Sequence, residues 1–92
     1  MRITFDPAKR DQTLRERGLD FADAPEVFAE HALTRLDTRE DHGEDRYQTY
    51  GYLHGELVMV VWTPRGDARH VFSMRRTHAR EQKRIGQRLD EG

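Results

Sequence analysis

The stretch RYQTYGYLHGELVMVVWTPRGDARHVFSMRR, residues 46–76, decides the fold. Its apolar residues form three runs separated by turn residues, a strand signature and not a helical one. His54-Gly55 divides RYQTYGYL from ELVMVVWT, and Pro64-Arg65-Gly66-Asp67 divides ELVMVVWT from ARHVFSMR. Two successive hairpins follow from that punctuation. Residues 57–62 are continuously apolar and belong at the centre of the sheet, whereas the flanking runs alternate. In the third run, alternation assigns Arg69, Val71, Ser73 and Arg75 to one face and His70, Phe72 and Met74 to the other, the expected core face. Arg46, Gln48 and Tyr50 of the first run would join Arg69, Ser73 and Arg75 on an open face.

Working back toward the N-terminus, residues 2–5 read as an opening strand, followed by Asp6 as a helix cap and Pro7 at the first helical position. Gly18 stops that helix after about residue 17. Only Ala8 and Leu14 give it an apolar face, so it belongs at the edge of the fold. Asp20 caps a second helix, with Pro25 near its first turn, whose Phe21, Ala24, Val27 and Phe28 fall at helical spacing and read as core. Residues 32–36 suggest another strand, and DTREDHGEDR, residues 37–46, a loop. After Arg76, Thr77 can cap a final helix that offers only Ala79, Ile85 and Leu89 to a core, which implies that it rests on a partner or a ligand. The pattern is α+β: an antiparallel sheet of about four strands, two N-terminal helices and a C-terminal helix, in one domain over residues 1–92.

Composition narrows the chemistry. With 35% hydrophobic and 36% charged residues, the core is thin for 92 residues and a binding partner would stabilise it. The absence of cysteine removes thiolate catalysis, disulfides and cysteine zinc sites. No apolar run of about 18 residues and no apolar signal region are present, so a cytoplasmic protein away from membranes is expected. The net charge of −1 hides two poles: residues 20–45 carry nine acidic against two basic residues, and residues 65–88 carry eight basic against two acidic. The basic pole suits a polyanion, although mutual neutralisation of two solvated surfaces gives the same sum.

Arginine, aromatic and hydroxyl groups on one sheet face suit a phosphate backbone with stacked bases, the combination that holds single-stranded RNA. Arg65, Arg69, Ser73, Gln48 and Tyr50 are the candidate RNA contacts. The histidines His31, His42, His54, His70 and His78 show no HExxH or other tight ligand spacing, so no metal site is expected. His78, beside Arg75 and Arg76, can do acid/base work or simply open the last helix. Glu44 can orient an arginine or accept a proton, or merely pair with a neighbouring arginine. No GxSxG, Walker A or GxGxxG motif occurs, leaving dinucleotide and P-loop chemistry without support.

The ordered set FDPAK, RGLDFADAPEVF, GEDRYQTYG and LVMVVWTPRGDARHVFSMRR resembles the BrnT family of toxins from type II toxin–antitoxin modules, over almost the whole chain. The resemblance implies a RelE-like fold and a ribonuclease that stops translation by acting on RNA, free or on the ribosome. It also implies a ribbon-helix-helix antitoxin that neutralises the toxin in a hetero-oligomer and alone contacts operator DNA. Carried over position by position, Lys9, Glu44, Arg46, Arg75, Arg76 and His78 become the expected catalytic set, with neither cofactor nor metal. The implied reaction is attack of the RNA 2′-hydroxyl on the adjacent phosphorus, with arginines meeting the charge that builds on the phosphate oxygens. Two other readings keep the same fold: a non-catalytic co-repressor or scaffold for the antitoxin, and a toxin aimed at DNA gyrase.

Overall fold

The computed structural model describes residues 1–29, 31–39, 41 and 43–91, with side chains as far as Leu89. The elements are β1 (Arg2–Phe5), α1 (Pro7–Arg17), a 3₁₀ turn (Phe21–Asp23), α2 (Ala24–Val27), β2 (Leu33–Leu36), β3 (Tyr47–Leu53), β4 (Glu56–Arg65), β5 (Ala68–Arg76) and α3 (Ala79–Glu91). The five strands make one sheet in the order β1-β5-β4-β3-β2. β4, which contains the continuous apolar run, is therefore central. The sheet is mixed and has one strand more than the sequence pattern suggested, because β1 adds in parallel along residues 68–71 of β5 while the other pairings are antiparallel. A parallel neighbour needs a long crossover, so this pairing has no local turn signal.

Local chemistry sets the element ends. The Asp6 side chain accepts the Ala8 amide, Pro7 opens α1, and Gly18 closes it in the left-handed conformation at φ 70°. α1 has no buried residue and runs beside the part of β5 that β1 leaves unpaired, where Arg17 Nη1 donates to the Met74 carbonyl at 2.8 Å. The Asp20 side chain accepts the Ala22 amide as expected of a cap, but the helix that follows is only a 3₁₀ turn and one α-turn. Its Phe21, Ala24 and Val27 are nonetheless buried. His54 and Gly55 form the β3–β4 turn at φ 51° and 81°, the left-handed pair that a two-residue hairpin requires. Thr77 does not cap α3; its hydroxyl donates to the Leu57 carbonyl at 3.1 Å. His78 takes the cap position, its carbonyl accepting the Gln82 amide at 2.7 Å and its amide donating to Glu81 Oε1 at 3.3 Å, half of a capping box.

Each face of the sheet has its own core. Phe21, Ala24 and Val27 pack with Val58, Val60, Trp62, Val71 and Met74 on one face. On the other, Ile85 of α3 packs with Tyr50, Leu57, Met59 and Val61, and half-buried Leu89 joins them, while Ala79 stays exposed. Close approach of α2 depends on Gly51: a Cβ there would lie 2.1 Å from the Val27 carbonyl oxygen. Backbone on both sides would have to shift, so Gly51→Ala is expected to lower stability by about 1–3 kcal/mol. A urea unfolding midpoint equal to that of the unsubstituted chain would show that α2 does not rely on this contact.

Alternation along β5 breaks at a bulge. Trp62 pairs with Val71 and Val61 with Ser73, leaving Phe72 as the extra residue. The break reverses the phase of everything before it. Arg69 therefore lies on the helix α2 face, its guanidinium 4.5 Å from the Phe28 ring and 4.7 Å from the Trp62 ring, and not beside Ser73 and Arg75. His70 and Phe72 are likewise not on the face of Met74: Phe72 joins the α3-side core, and His70 meets it edge-on at 5.1 Å. Gln48 and Tyr50 do share the face of Ser73 and Arg75, but α3 makes that part of the sheet a core: Gln48 is 5% exposed and Tyr50 fully buried.

Candidate functional site

Beside α3, on the same sheet face, lies a cleft of about 370 Å³ lined by Lys9, Asp37, Arg39, Arg46, Val61, Phe72 and Ser73. The bulge builds its floor by turning Phe72 and the adjacent Ser73 to one side. Arg46, at the entry to β3, lays its guanidinium 3.7 Å from the centre of the Phe72 ring. Its Nε is buried and has no hydrogen-bond partner among the described residues. A buried N–H left unpaired is costly, so this donor is suited to a ligand oxygen. Lys9 reaches the cleft from the first turn of α1. From the β2 side, Arg39 is held by Asp37 through two contacts of 2.9 and 2.8 Å. Among the described lining residues, three cations stand against one carboxylate over an aromatic floor, an arrangement suited to an anion.

Glu44 stands near this cleft through Arg65: Arg65 Nη2 is 3.4 Å from Glu44 Oε1, and the Arg65 guanidinium is 5.6 Å from the Phe72 ring. His70 hydrogen-bonds through Nδ1 to Thr4 Oγ1 at 2.9 Å. Burial, followed by the Arg65 charge, holds its pKa below the ordinary histidine value, so the ring is neutral at neutral pH.

Arg75 belongs to a second cluster, under the start of α3. It donates to both oxygens of Glu81, at 2.8 and 3.0 Å. Tyr50 Oη also donates to Glu81 Oε2 at 3.0 Å, and Arg35 donates to Tyr50 Oη at 3.0 Å and to Gln48 Oε1 at 2.9 Å. The Arg75 hydrogen bonds hold the Glu81 carboxyl at a pKa of about 2 despite its burial. Burial and then the Glu81 carboxylate push the Tyr50 phenol up. This cluster pins α3 to the sheet. Arg76, two strand positions from Met74, shares the α2 face with it and bonds Glu56 and the Arg17 carbonyl at the end of α1. His78 is exposed at the start of α3.

Of the residues singled out in the sequence, the structure thus brings Lys9, Arg46 and Ser73 into one cleft, with Glu44 and Arg65 close by. It separates them from Arg69, Arg76 and His78, and ties Arg75, Gln48 and Tyr50 into the α3 cluster. Asp37, Arg39, Phe72 and Glu81 escaped sequence reading. The first two sit in an acidic loop without periodicity, Phe72 looked like core, and Glu81 carried only its capping-box spacing from His78. Away from the cleft, at the opposite end of β3, Asp23, Glu26 and His54 bring one ligand atom each within 4.8 Å of one another, a grouping that sequence spacing concealed. His42 lies outside the described residues. No described helix is long and apolar enough to cross a membrane.

A family model described as the ribonuclease toxin BrnT, of type II toxin–antitoxin systems, matches residues 5–81. A search of curated proteins finds no match.

Proposed function

The chain belongs to the BrnT family of ribonuclease toxins of type II toxin–antitoxin systems, and we propose that it cuts RNA in the cleft between Lys9 and Arg46. The observation that carries this reading is the buried Arg46 Nε, unpartnered among the described residues and fixed on the Phe72 ring between further cations. A phosphodiester is the anion of RNA that such a site would take. Lys9 and Arg46 hold the non-bridging oxygens, Arg39 adds charge from the rim, and Ser73 supplies a hydroxyl to the floor. The 2′-oxygen attacks phosphorus, the bond to the 5′-oxygen breaks, and a 2′,3′-cyclic phosphate and a 5′-hydroxyl result. Negative charge growing on the phosphate oxygens is met by cations already in place, which is where the rate enhancement comes from.

The 2′-hydroxyl proton goes to Glu44, and the departing 5′-oxygen takes its proton from water. Asp37 is already committed to Arg39 by a two-contact pair, whereas Glu44 has a single long contact with Arg65. Arg75 acts through Glu81, by keeping α3 in place. The antitoxin that the family implies is read as a ribbon-helix-helix protein whose acidic residues cover the cationic cleft, forming a hetero-oligomer in the cytoplasm and contacting operator DNA itself.

The test is to incubate the antitoxin-free chain with single-stranded RNA at neutral pH in EDTA, with and without ribosomes, and to identify the new ends. Cyclic-phosphate and 5′-hydroxyl ends are expected. Intact RNA in both arms would overturn the nuclease reading and favour a co-repressor role.

A further inference from the structure

The molecule engages most of its cations in internal contacts. Of 16 lysines and arginines, ten are engaged by a carboxylate, a polar group or an aromatic ring. The six that make no such contact among the described residues are Lys9, in the cleft, Arg15, and Arg80, Lys83, Arg84 and Arg88 of α3. All four on α3 are exposed. At 100° per residue they fall within an arc of about 140° and extend about 12 Å along the helix. The apolar residues Ile85 and Leu89 turn inward to the sheet. Glu81 does the same and is spent on Arg75. Over residues 79–89, the part of α3 whose side chains are described, the helix therefore shows solvent a stripe of one sign.

We infer that this stripe is a second nucleic-acid contact, a track that holds the phosphate backbone of RNA lying outside the cleft. The inference rests on the proposed RNA substrate. An acidic protein segment would meet the same charge, but a protein interface also needs buried apolar or aromatic anchors, and the stripe has none. Nucleic-acid interfaces are polar and cationic, which is what four side chains without an ion pair among the described residues, beside neutral Gln87, provide. The Glu81–Arg75 pair then has a further consequence: it fixes the helix that carries the track to the same sheet face as the cleft.

Binding of a single-stranded 2′-O-methyl RNA of about 16 nucleotides, which offers no free 2′-hydroxyl for attack, tests the track by fluorescence anisotropy across a salt series. Relative to the natural chain, the combined substitution Arg80→Gln, Lys83→Gln, Arg84→Gln and Arg88→Gln is expected to weaken binding at least tenfold. The slope of log affinity against log salt should shrink by about 2 to 3, the loss of four phosphate contacts on a single strand. The charge-conserving set Arg80→Lys, Arg84→Lys and Arg88→Lys should keep the slope, which separates lost charge from a misfolded helix. Cleavage of a trinucleotide too short to leave the cleft reports on the cleft alone and should be equal in all three proteins. A trinucleotide that none of them cuts, with the slope still reduced, would count against the nuclease reading and for the track. An unchanged slope in the glutamine variant overturns the track, as does loss of antitoxin binding with RNA binding intact.

Discussion

Arg46→Ala is expected to slow RNA cleavage by about 10²–10³-fold, the loss of one preorganised donor to an oxyanion, equivalent to about 2.7–4 kcal/mol of transition-state stabilisation. The effect is large because the guanidinium is held before substrate arrives: Phe72 supports its face at 3.7 Å and its Nε has no partner among the described residues. Arg46→Lys should recover only part of the rate, since an ammonium restores charge but neither the planar stacking nor the two-pronged geometry. Single-turnover rates at saturating protein separate this loss from weakened binding. Cleavage by a folded Arg46→Ala protein at the natural rate would remove the cleft from the mechanism. Glu44→Gln should fall by about 10²–10⁴-fold with RNA affinity retained, as for loss of a general base.

The second large effect is on stability. Arg75 and Glu81 form a two-contact ion pair whose side chains are 28% and 14% exposed, so removing either partner leaves a mostly buried charge. Arg75→Ala is expected to cost about 3 kcal/mol. Because the Glu81 pKa is depressed from 4.5 to about 2 in the folded chain, its contribution is complete above pH 4.5. It is lost as pH falls toward 2, where the folded state must also take up the proton. Over that window the natural chain should lose about 3 kcal/mol through this group. Glu81→Gln should lack that part of the acid sensitivity while keeping the part due to Asp20, whose carboxyl is also lowered, by its hydrogen bonds from Arg10. Urea titrations of both proteins at pH 6 and pH 3 measure the difference; an equal drop in the two would show that the pair does not anchor α3.

These two effects divide the arginines in a way that the sequence could not. The hairpins, the central β4, the caps at Asp6 and Asp20 and the stop at Gly18 were legible because each depends on neighbours in the chain. The phase of β5 was not. In ARHVFSMR the adjacent apolar pair Val71-Phe72 interrupts the alternation, but the sequence does not say which of the two is the added residue; the bulge is defined only against β4. That one residue sends Arg69 to the other face and carries Phe72 to the α3 side, where it both packs against the core and floors the cleft. Residues 2–5 were legible as a strand, but their place in the sheet was obscure for a similar reason, since β1 pairs with residues 68–71, distant in the sequence. Asp37, Arg39 and Glu81 become site or anchor residues through contacts made by folding. The family resemblance marked Arg46 and Arg75 alike, and the structure puts them in different surroundings, the cleft and the Glu81 cluster.

The basic pole of the chain also changes meaning. Of its eight cations, Arg65, Arg69, Arg75 and Arg76 are occupied within the molecule, and the four on α3 face outward. The cleft draws its charge mainly from elsewhere, from Lys9, Arg39 and Arg46.

The most direct measurement follows the arginine side-chain Nε–H resonances by NMR during titration with an RNA trinucleotide carrying a 2′-deoxy sugar at the cleavage position. The cleft account predicts that Arg46 Nε–H shifts strongly with added ligand while Arg75 Nε–H, held by Glu81, stays in place. A shift at Arg75 with Arg46 unmoved would contradict it and move the scissile phosphate to the other cluster.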